Sequence, residues 1–241
     1  MKKGFNYIIL FIATVSISAV VSSCRFRCVH GSGHQTSETR NVAAFTKLDV
    51  SGGFNLVLKQ DSSTKLTITA DDNLLKYVKT NVENGVLHIY TKKNMCNSGP
   101  MVVHVGIREL EEIKGSGALE VTAEGKIVTK DVAFRTSGAS KITLDLDAAN
   151  VTTETSGAGE LYLTGQASSH HIESSGVGKV HAFDFMVGNY YISTSGAGEC
   201  QINVLHSLEI HSSGASEVKY KGNPTNVTND KSGASSVEKV D

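Results

Sequence analysis

The stretch Ser-Gly-Ala-Gly-Glu-Leu-Tyr-Leu, from Ser156 to Leu163, is one copy of a unit that recurs through the C-terminal half of the chain. Its Ser-Gly-Ala core occurs seven times, once with valine in place of alanine. Successive glycines of these copies are 21, 19, 19, 20, 18 and 19 residues apart. The seven glycines are Gly117, Gly138, Gly157, Gly176, Gly196, Gly214 and Gly233. A period near twenty residues is typical of a solenoid, in which each repeat buries its apolar face against its neighbours.

Apolar and polar residues alternate around each of these glycines. In the copy around Gly176, Val180 and Ala182 are apolar, whereas Lys179 and His181 are polar. A period of two is the strand period, so each repeat is predicted to be two or three short strands. The Ser-Gly-Ala phrase then marks a tight corner, where glycine tolerates a positive φ and lets the next coil approach closely.

These observations predict an all-β fold, specifically a single-stranded parallel β-helix of about 19–20 residues per coil with an irregular N-terminal cap. A leucine-rich repeat has a similar period, but its leucine and asparagine pattern does not occur here. Right-handed coiling is favoured because parallel strand connections are generally right-handed. In-register coils would also place the alternating charges three residues after each glycine side by side. These charges begin Glu120, Lys141, Glu160, Lys179 and Glu199.

The N-terminus has the features of an export signal. Lys2 and Lys3 precede an apolar run that ends in Val21-Ser22-Ser23-Cys24. This tail resembles the lipobox of bacterial lipoproteins, which implies cleavage before Cys24 and a diacylglycerol on its thiol. We therefore expect an exported lipoprotein of the cell envelope, bound to the membrane through Cys24 and acylated with fatty acids such as palmitate. Its location is expected to be the outer membrane, facing either the periplasm or the cell surface.

The sequence predicts three segments. Residues 1–23 are the signal peptide, residues 24–41 are a flexible tether, and residues 42–241 are the β-helix. Within the last, residues 42–109 form irregular coils and a cap, and 110–241 form the regular repeats. Gly52 resembles one more corner, and its separation of 65 residues from Gly117 corresponds to about three periods. Residues 71–78 have the spacing of a short helix.

Composition excludes some functions and leaves others open. The formal charge of −1 argues against a nucleic-acid-binding protein, which needs a basic face. The absence of tryptophan disfavours a groove that stacks sugars on aromatic rings, although tyrosines could serve. Cys200 falls in an apolar column and is predicted to be a buried thiol, while a Cys28–Cys96 disulfide remains open. No cofactor or metal is predicted. Cys28, His30 and His34 are of the types that bind metals, but they lie in the segment predicted to be a flexible tether.

Several stretches resemble the head GIN domain family, an autotransporter-adhesin type of domain found in Bacteroidetes lipoproteins. The matching stretches are residues 45–52, 73–78, 85–90, 110–117 and 220–224, together with Ser-Gly-Ala-Gly-Glu at Ser156 and Ser195. The resemblance covers about residues 42–240. It implies a β-helix at the bacterial surface or in the periplasm, and it carries no catalytic residues.

We therefore expect a non-enzymatic module for adhesion, scaffolding or binding, with a glycan or protein partner and homo-oligomerisation left open. The alternative is a polysaccharide-active lyase or hydrolase, because parallel β-helices also host such enzymes. Its best carboxylates would be Asp131, Asp145, Asp147 and Asp184, for which solvated strand positions are the favoured interpretation. His170-His171 and His211 are interpreted as surface histidines, because His171 and His211 lie two coils apart, about 10 Å, which is too far for one metal ion. The seven equivalent serines predict a structural row of hydroxyls that bond the corner backbone.

Overall fold

The computed structural model describes residues 28–63, 65–96 and 98–240. Strands account for about four fifths of these residues, and their one helix is a single 3-10 turn, Leu75–Tyr77, inside the predicted helical stretch. The all-β class is therefore confirmed. No helix in these ranges is both long and apolar enough to cross a membrane. The predicted signal peptide and Cys24 lie outside the described residues.

The strands in chain order are β1 (Val29–His30), β2 (Gln35–Asn41), β3 (Lys47–Gln60), β4 (Lys65–Asp71), β5 (Val78–Glu83), β6 (Val86–Thr91), β7 (Met95–Cys96), β8 (Val102–Ile107), β9 (Glu112–Ala123), β10 (Ile127–Lys221), β11 (Asn226–Gly233) and β12 (Ser236–Lys239). The 95 residues of β10 stay extended through five of the repeat glycines. Because side chains alternate along an extended chain, this stretch presents one set of residues inward and the other outward.

Successive repeats lie side by side, parallel and in register. β9 pairs with β10 so that Gly117 lies opposite Gly138, and β10 pairs with β11 so that Gly214 lies opposite Gly233. A Cβ built on Gly157 would lie 2.6 Å from the carbonyl oxygen of Gly138, so these backbones also run next to each other. The repeat interval therefore equals the spacing between hydrogen-bonded neighbours.

The core consists of inward columns that run across the repeats. The column four residues after the glycines is buried in six successive repeats and includes Cys200. Its buried members are Val121, Ile142, Leu161, Val180, Cys200 and Val218. Each fully buried aliphatic side chain contributes about 1.5–3 kcal/mol, so the columns supply the main drive for stacking. In the last repeat this column continues with the partly buried Val237, but Asn229, four residues before the glycine, is exposed in place of an isoleucine.

The N-terminal region corrects one interpretation of the sequence. Gly52 lies directly opposite Gly117, and residues 47–58 pair in parallel with residues 112–123. The 65-residue interval therefore does not hold intermediate coils, and the interpretation as about three periods is wrong. Instead, β6 and β8 pair with the other edge of β3, and antiparallel strands β5, β4 and β2 extend the sheet from there. These strands occupy the edge that the first repeat would otherwise leave unpaired.

The segment predicted to be a flexible tether is structured over its described part. β2 pairs antiparallel with β4 along all seven residues, and β1 pairs with β7. Cys28 and Cys96 form a disulfide with their Cα atoms 5.6 Å apart. The guanidinium of Arg40 donates to the backbone carbonyls of Leu75 and Val78. The tether prediction is therefore wrong from Cys28 onward. The sequence did not indicate this strand, because residues 35–41 are polar and have no alternation of apolar residues.

Candidate binding surface

The row of corner glycines divides two outward surfaces. All seven repeat glycines have positive φ, between +84° and +132°, a region that side chains with a Cβ rarely adopt. We call the outward residues one, three and five positions before these glycines the upstream face. The outward residues three and five positions after them form the downstream face. Both faces are built by stacking equivalent positions of successive repeats.

Charged side chains pair across repeats on the upstream face. Arg135 contacts two carboxylates, with its Nη2 2.9 Å from Glu154 and its Nη1 3.0 Å from Glu112. The hydrogen bonds that this guanidinium donates to Glu154, and then to Glu112, hold its pKa above its usual range. Lys114 lies 3.8 Å from Asp49 of the neighbouring repeat. These exposed pairs contribute little stability, but they fix the order of charges along the face.

Further along the same face, three rings stack. Tyr191 lies between two histidines, with its ring centroid 4.5 Å from that of His171 at an interplanar angle of 2°, and 5.5 Å from that of His211. Each imidazole is also held by a carboxylate two residues away along the strand, Glu173 at 2.9 Å and Glu209 at 2.8 Å. The sequence analysis predicts that the two histidines lie two repeats apart. It does not predict that Tyr191, from the intervening repeat, contacts both imidazole rings.

Between these features lies a shallow groove of about 440 Å³ that opens to solvent. It is lined by serines that precede the corner glycines, among them Ser137, Ser156 and Ser175, and by Arg135 and Glu154. Hydroxyl groups, a fixed guanidinium and carboxylates are the groups that bind sugar hydroxyls or polar protein side chains by hydrogen bonds.

Six of the seven serines that precede the corner glycines are exposed, and within the described residues none of the seven hydroxyls bonds to the corner backbone, so their predicted role as a bonded structural row is wrong. The hydroxyls that bond to one another lie one residue earlier or three residues later and point inward. Thr155 Oγ1 donates to Ser174 Oγ at 3.0 Å, and Thr194 Oγ1 donates to Ser216 Oγ at 3.2 Å. Two residues before the glycine, side chains face the core, and small hydroxyls fit the narrow corner there.

The downstream face carries a second stack. Tyr162 and His181 lie 4.5 Å apart with an interplanar angle of 15°, and Lys141 Nζ is 5.4 Å from the centre of the Tyr162 ring. Partial burial, then a hydrogen bond to Glu160, raises the pKa of the Tyr162 phenol. Glu120 lies opposite Lys141, as the register prediction required. Across the described chain, however, no ion pair joins two members of that column.

The four candidate carboxylates are not gathered into one site. Asp145 lies 3.5 Å from Lys126 Nζ, and it shares a groove of about 510 Å³ with Asp184 on the downstream face. Asp147 accepts a hydrogen bond from Gln166, and Asp131 accepts one from Asn150. In residues 28–63, 65–96 and 98–240, no three side chains of His, Cys, Asp or Glu are placed to hold a metal ion.

Two titratable groups, Cys200 and His170, lie buried in the core, and only the first was predicted to do so. Cys200 is buried as predicted, and burial raises the pKa of its thiol to about 12. The interpretation of His170 as a surface histidine is wrong, because it is 1% exposed, and burial lowers its pKa to about 3. Its Nε2 shares a 2.9 Å hydrogen bond with Thr153 Oγ1, and its ring lies 5.3 Å from that of Tyr190.

Cys28 is bonded to Cys96 in the disulfide, so it has no free thiolate with which to bind a metal ion beside His30.

Comparison with known proteins gives a family and a fold. The family model described as "Putative auto-transporter adhesin, head GIN domain" matches residues 44–224. No curated protein matches the chain.

Three solved structures of bacterial proteins have a similar fold. The "putative adhesin" of Bacteroides fragilis aligns with a TM-score of 0.82 at 22% identity, covering 88% of this chain and 100% of that chain. The "Putative lipid binding protein" of Parabacteroides distasonis aligns with a TM-score of 0.71 at 18% identity, covering 89% and 100%. A "putative adhesin" of Parabacteroides merdae aligns with a TM-score of 0.65 at 20% identity, covering 88% and 99%. The family predicted from the sequence is thus confirmed, and the chain belongs to the head GIN domain family.

Proposed function

We propose that the chain is a parallel β-helix that acts as a non-catalytic binding module, lipid-anchored in the bacterial cell envelope. The β-helix is supported by the parallel, in-register pairing of residues one repeat apart, from Gly52 opposite Gly117 to Gly214 opposite Gly233. It is also supported by the inward columns, which are continuous over six repeats. A closed coil is the simplest path by which one chain can pair with itself at a fixed interval of about twenty residues.

The upstream face is the observation that carries the binding role. It presents paired charges at Arg135 and Glu154, a row of exposed serines, and the stacked rings around Tyr191. Such a surface offers hydrogen-bond donors, acceptors and ring edges at intervals of about 4.8 Å, the spacing of neighbouring strands. An extended polymer with repeating hydroxyls, such as an envelope glycan, suits these intervals better than a compact metabolite does.

A glycan-array experiment tests this role. The probe is the chain from residue 24 onward with Cys24→Ser, which retains every described residue. We expect binding to a subset of envelope glycans, and a loss of about tenfold or more in affinity for Tyr191→Ala, a truncation at the centre of the stack. Tyr162→Ala, the same truncation on the downstream face, serves as the matched control and should bind like the parent. If only Tyr162→Ala lost affinity, the binding site would lie on the downstream face and the proposal for the upstream face would be wrong.

The enzyme alternative has one specific observation in its favour, because Asp145 and Asp184 line the same groove. A general acid and a second carboxylate are the usual requirement for glycoside hydrolysis. The ion pair of Asp145 with Lys126 favours a structural role for that carboxylate. Cleavage of a defined polysaccharide by the parent, lost in Asp145→Asn/Asp184→Asn, would establish the enzyme and defeat the non-catalytic proposal.

The anchor is tested separately. Cys24→Ala should abolish incorporation of labelled palmitate and leave the precursor uncleaved or the protein unattached to membranes. Unchanged labelling of this variant would remove the lipoprotein proposal and leave the binding proposal intact. The outer membrane as destination is tested by fractionating the labelled parent.

A further inference from the structure

The disulfide ties the cap to the point where the proposed lipid would be attached. Cys28 is four residues after Cys24, and it is bonded to Cys96 in β7. β1 and β7 also pair in parallel, with Val29 opposite Met95. Because four residues span at most about 14 Å even when fully extended, the surface around β7 cannot lie far from the lipid. The disulfide thus determines which end of the fold is near the membrane.

That surface carries a cluster of lysines around one aromatic ring. Lys76 Nζ lies 5.2 Å and Lys93 Nζ 4.7 Å from the centre of the Tyr77 ring. The backbone N–H of Lys92 donates to the Tyr77 carbonyl at 3.0 Å, which holds the two chain segments together. All three lysines are exposed, and Lys93 is three residues before Cys96. We call these three lysines and Tyr77 the cap cluster.

The charges of the cap cluster are not neutralised by the protein. Within the described ranges, none of its three lysines forms an ion pair. Asp72, on the strand connection that precedes the 3-10 turn, accepts hydrogen bonds from Ser32 Oγ and from the N–H of Asn73. Glu38 is held by Arg40. The cluster is therefore a local positive surface on a chain whose net charge is −1.

We propose that the cap cluster is a membrane-docking surface that binds the anionic headgroups of the bilayer holding the lipid anchor. The proposal rests on the lipid anchor of the proposed function, and it adds an orientation: the cap faces the bilayer and the last repeat points away. Lysines contribute to binding only within about one Debye length, roughly 10 Å, of an anionic surface, and the short link from Cys24 allows that distance. Tyrosine is the residue type that favours the headgroup region, with its ring among apolar groups and its hydroxyl in water.

Vesicle sedimentation tests the electrostatic part without the lipid. The chain from residue 24 with Cys24→Ser is mixed with vesicles of phosphatidylcholine containing or lacking phosphatidylglycerol, at low ionic strength. Each lysine near an anionic surface is worth about fivefold in binding, so Lys76→Gln/Lys92→Gln/Lys93→Gln should lose about a hundredfold on the anionic vesicles. The matched control, Lys221→Gln/Lys231→Gln/Lys239→Gln, removes the same charge at the other end of the fold and should bind like the parent. Equal losses in the two variants would overturn the proposal.

Amine footprinting of the lipidated protein tests the orientation. In anionic vesicles, Lys76, Lys92 and Lys93 should be protected from an amine-reactive reagent, while Lys231 and Lys239 remain reactive. Release of the lipid by a lipase, at an ionic strength high enough to screen the lysines, should remove the protection. Equal labelling at both ends in palmitate-labelled protein would refute the docking surface while leaving the anchor standing. Absence of palmitate, with sedimentation intact, would refute the anchor and not the surface.

Discussion

The buried histidine makes the stability of the fold depend on pH in a way that can be calculated. His170 is 1% exposed, its Nδ1 has no hydrogen-bond partner, and burial lowers its pKa to about 3. A second, smaller cause is the neighbouring His171. In the unfolded chain, the imidazole has a pKa of about 6.5. Below this value the unfolded chain binds a proton that the folded chain excludes, so the free energy of unfolding falls as the pH falls.

The size of the effect follows from the separation of the two pKa values. Well below pH 6.5 each pH unit costs about 1.4 kcal/mol of stability, and near pH 6.5 the slope is half of that, so a drop from pH 6.5 to 4.5 costs about 2 kcal/mol from this one residue. His170→Phe keeps a ring beside Tyr190 and removes the titrating group. It also removes the hydrogen bond to Thr153, which should cost about 1 kcal/mol at any pH.

Urea unfolding followed by circular dichroism at pH 7.0, 6.5, 5.5 and 4.5 measures both the pH-dependent loss of stability and the pH-independent cost of the missing hydrogen bond. We expect the parent to lose about 2 kcal/mol more than His170→Phe between pH 6.5 and 4.5. His206→Gln, which replaces an exposed histidine, should follow the parent. Parallel curves for the parent and His170→Phe would refute the neutral, buried state of this histidine.

Three further predictions test the stack, the cap and the core. Gly157→Ala and Gly125→Ala both place a Cβ at positive φ, but only the first meets backbone, at 2.6 Å. Gly125→Ala should therefore cost about 1–2 kcal/mol and Gly157→Ala at least about 2 kcal/mol more, and equal costs in urea unfolding would contradict the close stacking. Cys28→Ser/Cys96→Ser should lower the free energy of unfolding by about 2–5 kcal/mol, whereas an unchanged urea midpoint would mean that the disulfide does not support the cap. Because burial raises the pKa of the Cys200 thiol to about 12, it should react with a thiol reagent only after denaturation, and rapid labelling of the native protein would show an exposed thiol.

The stacking could be predicted from the sequence because one physical requirement recurs at every repeat. The backbones meet at the corner, so Gly157 cannot carry a side chain without approaching Gly138. The inward columns must also be apolar, so positions such as Val180 and Ile202 repeat in chemistry if not in identity. Requirements that each repeat must satisfy leave a periodic trace, and the glycine intervals are that trace.

The cap could not be predicted in the same way, because its contacts satisfy a requirement that occurs only once. The edge of β3 needs a partner, and β6 and β8 supply it from residues more than thirty positions away. An interval of 65 residues between Gly52 and Gly117 is as compatible with three coils as with one inserted cap. Only the pairing distinguishes them. β2 was missed for a related reason: an exposed antiparallel edge strand of polar residues has no apolar alternation to detect.

The stacked rings of the upstream face show why a binding surface is harder to predict than the core beneath it. His171 and Tyr191 both stand five residues before their glycines, but His211 stands three before, because the interval from Gly196 to Gly214 is only 18 residues. Side chains alternate with a period of two, so a shift of two residues keeps His211 on the outer face and places it diagonally to Tyr191. The 5.5 Å contact and the tilted rings are the result. Packing constrains the inward residues of every repeat, whereas outward residues can shift by two without cost to the core. The chemistry of the surface therefore depends on small changes of interval that the repeat itself tolerates.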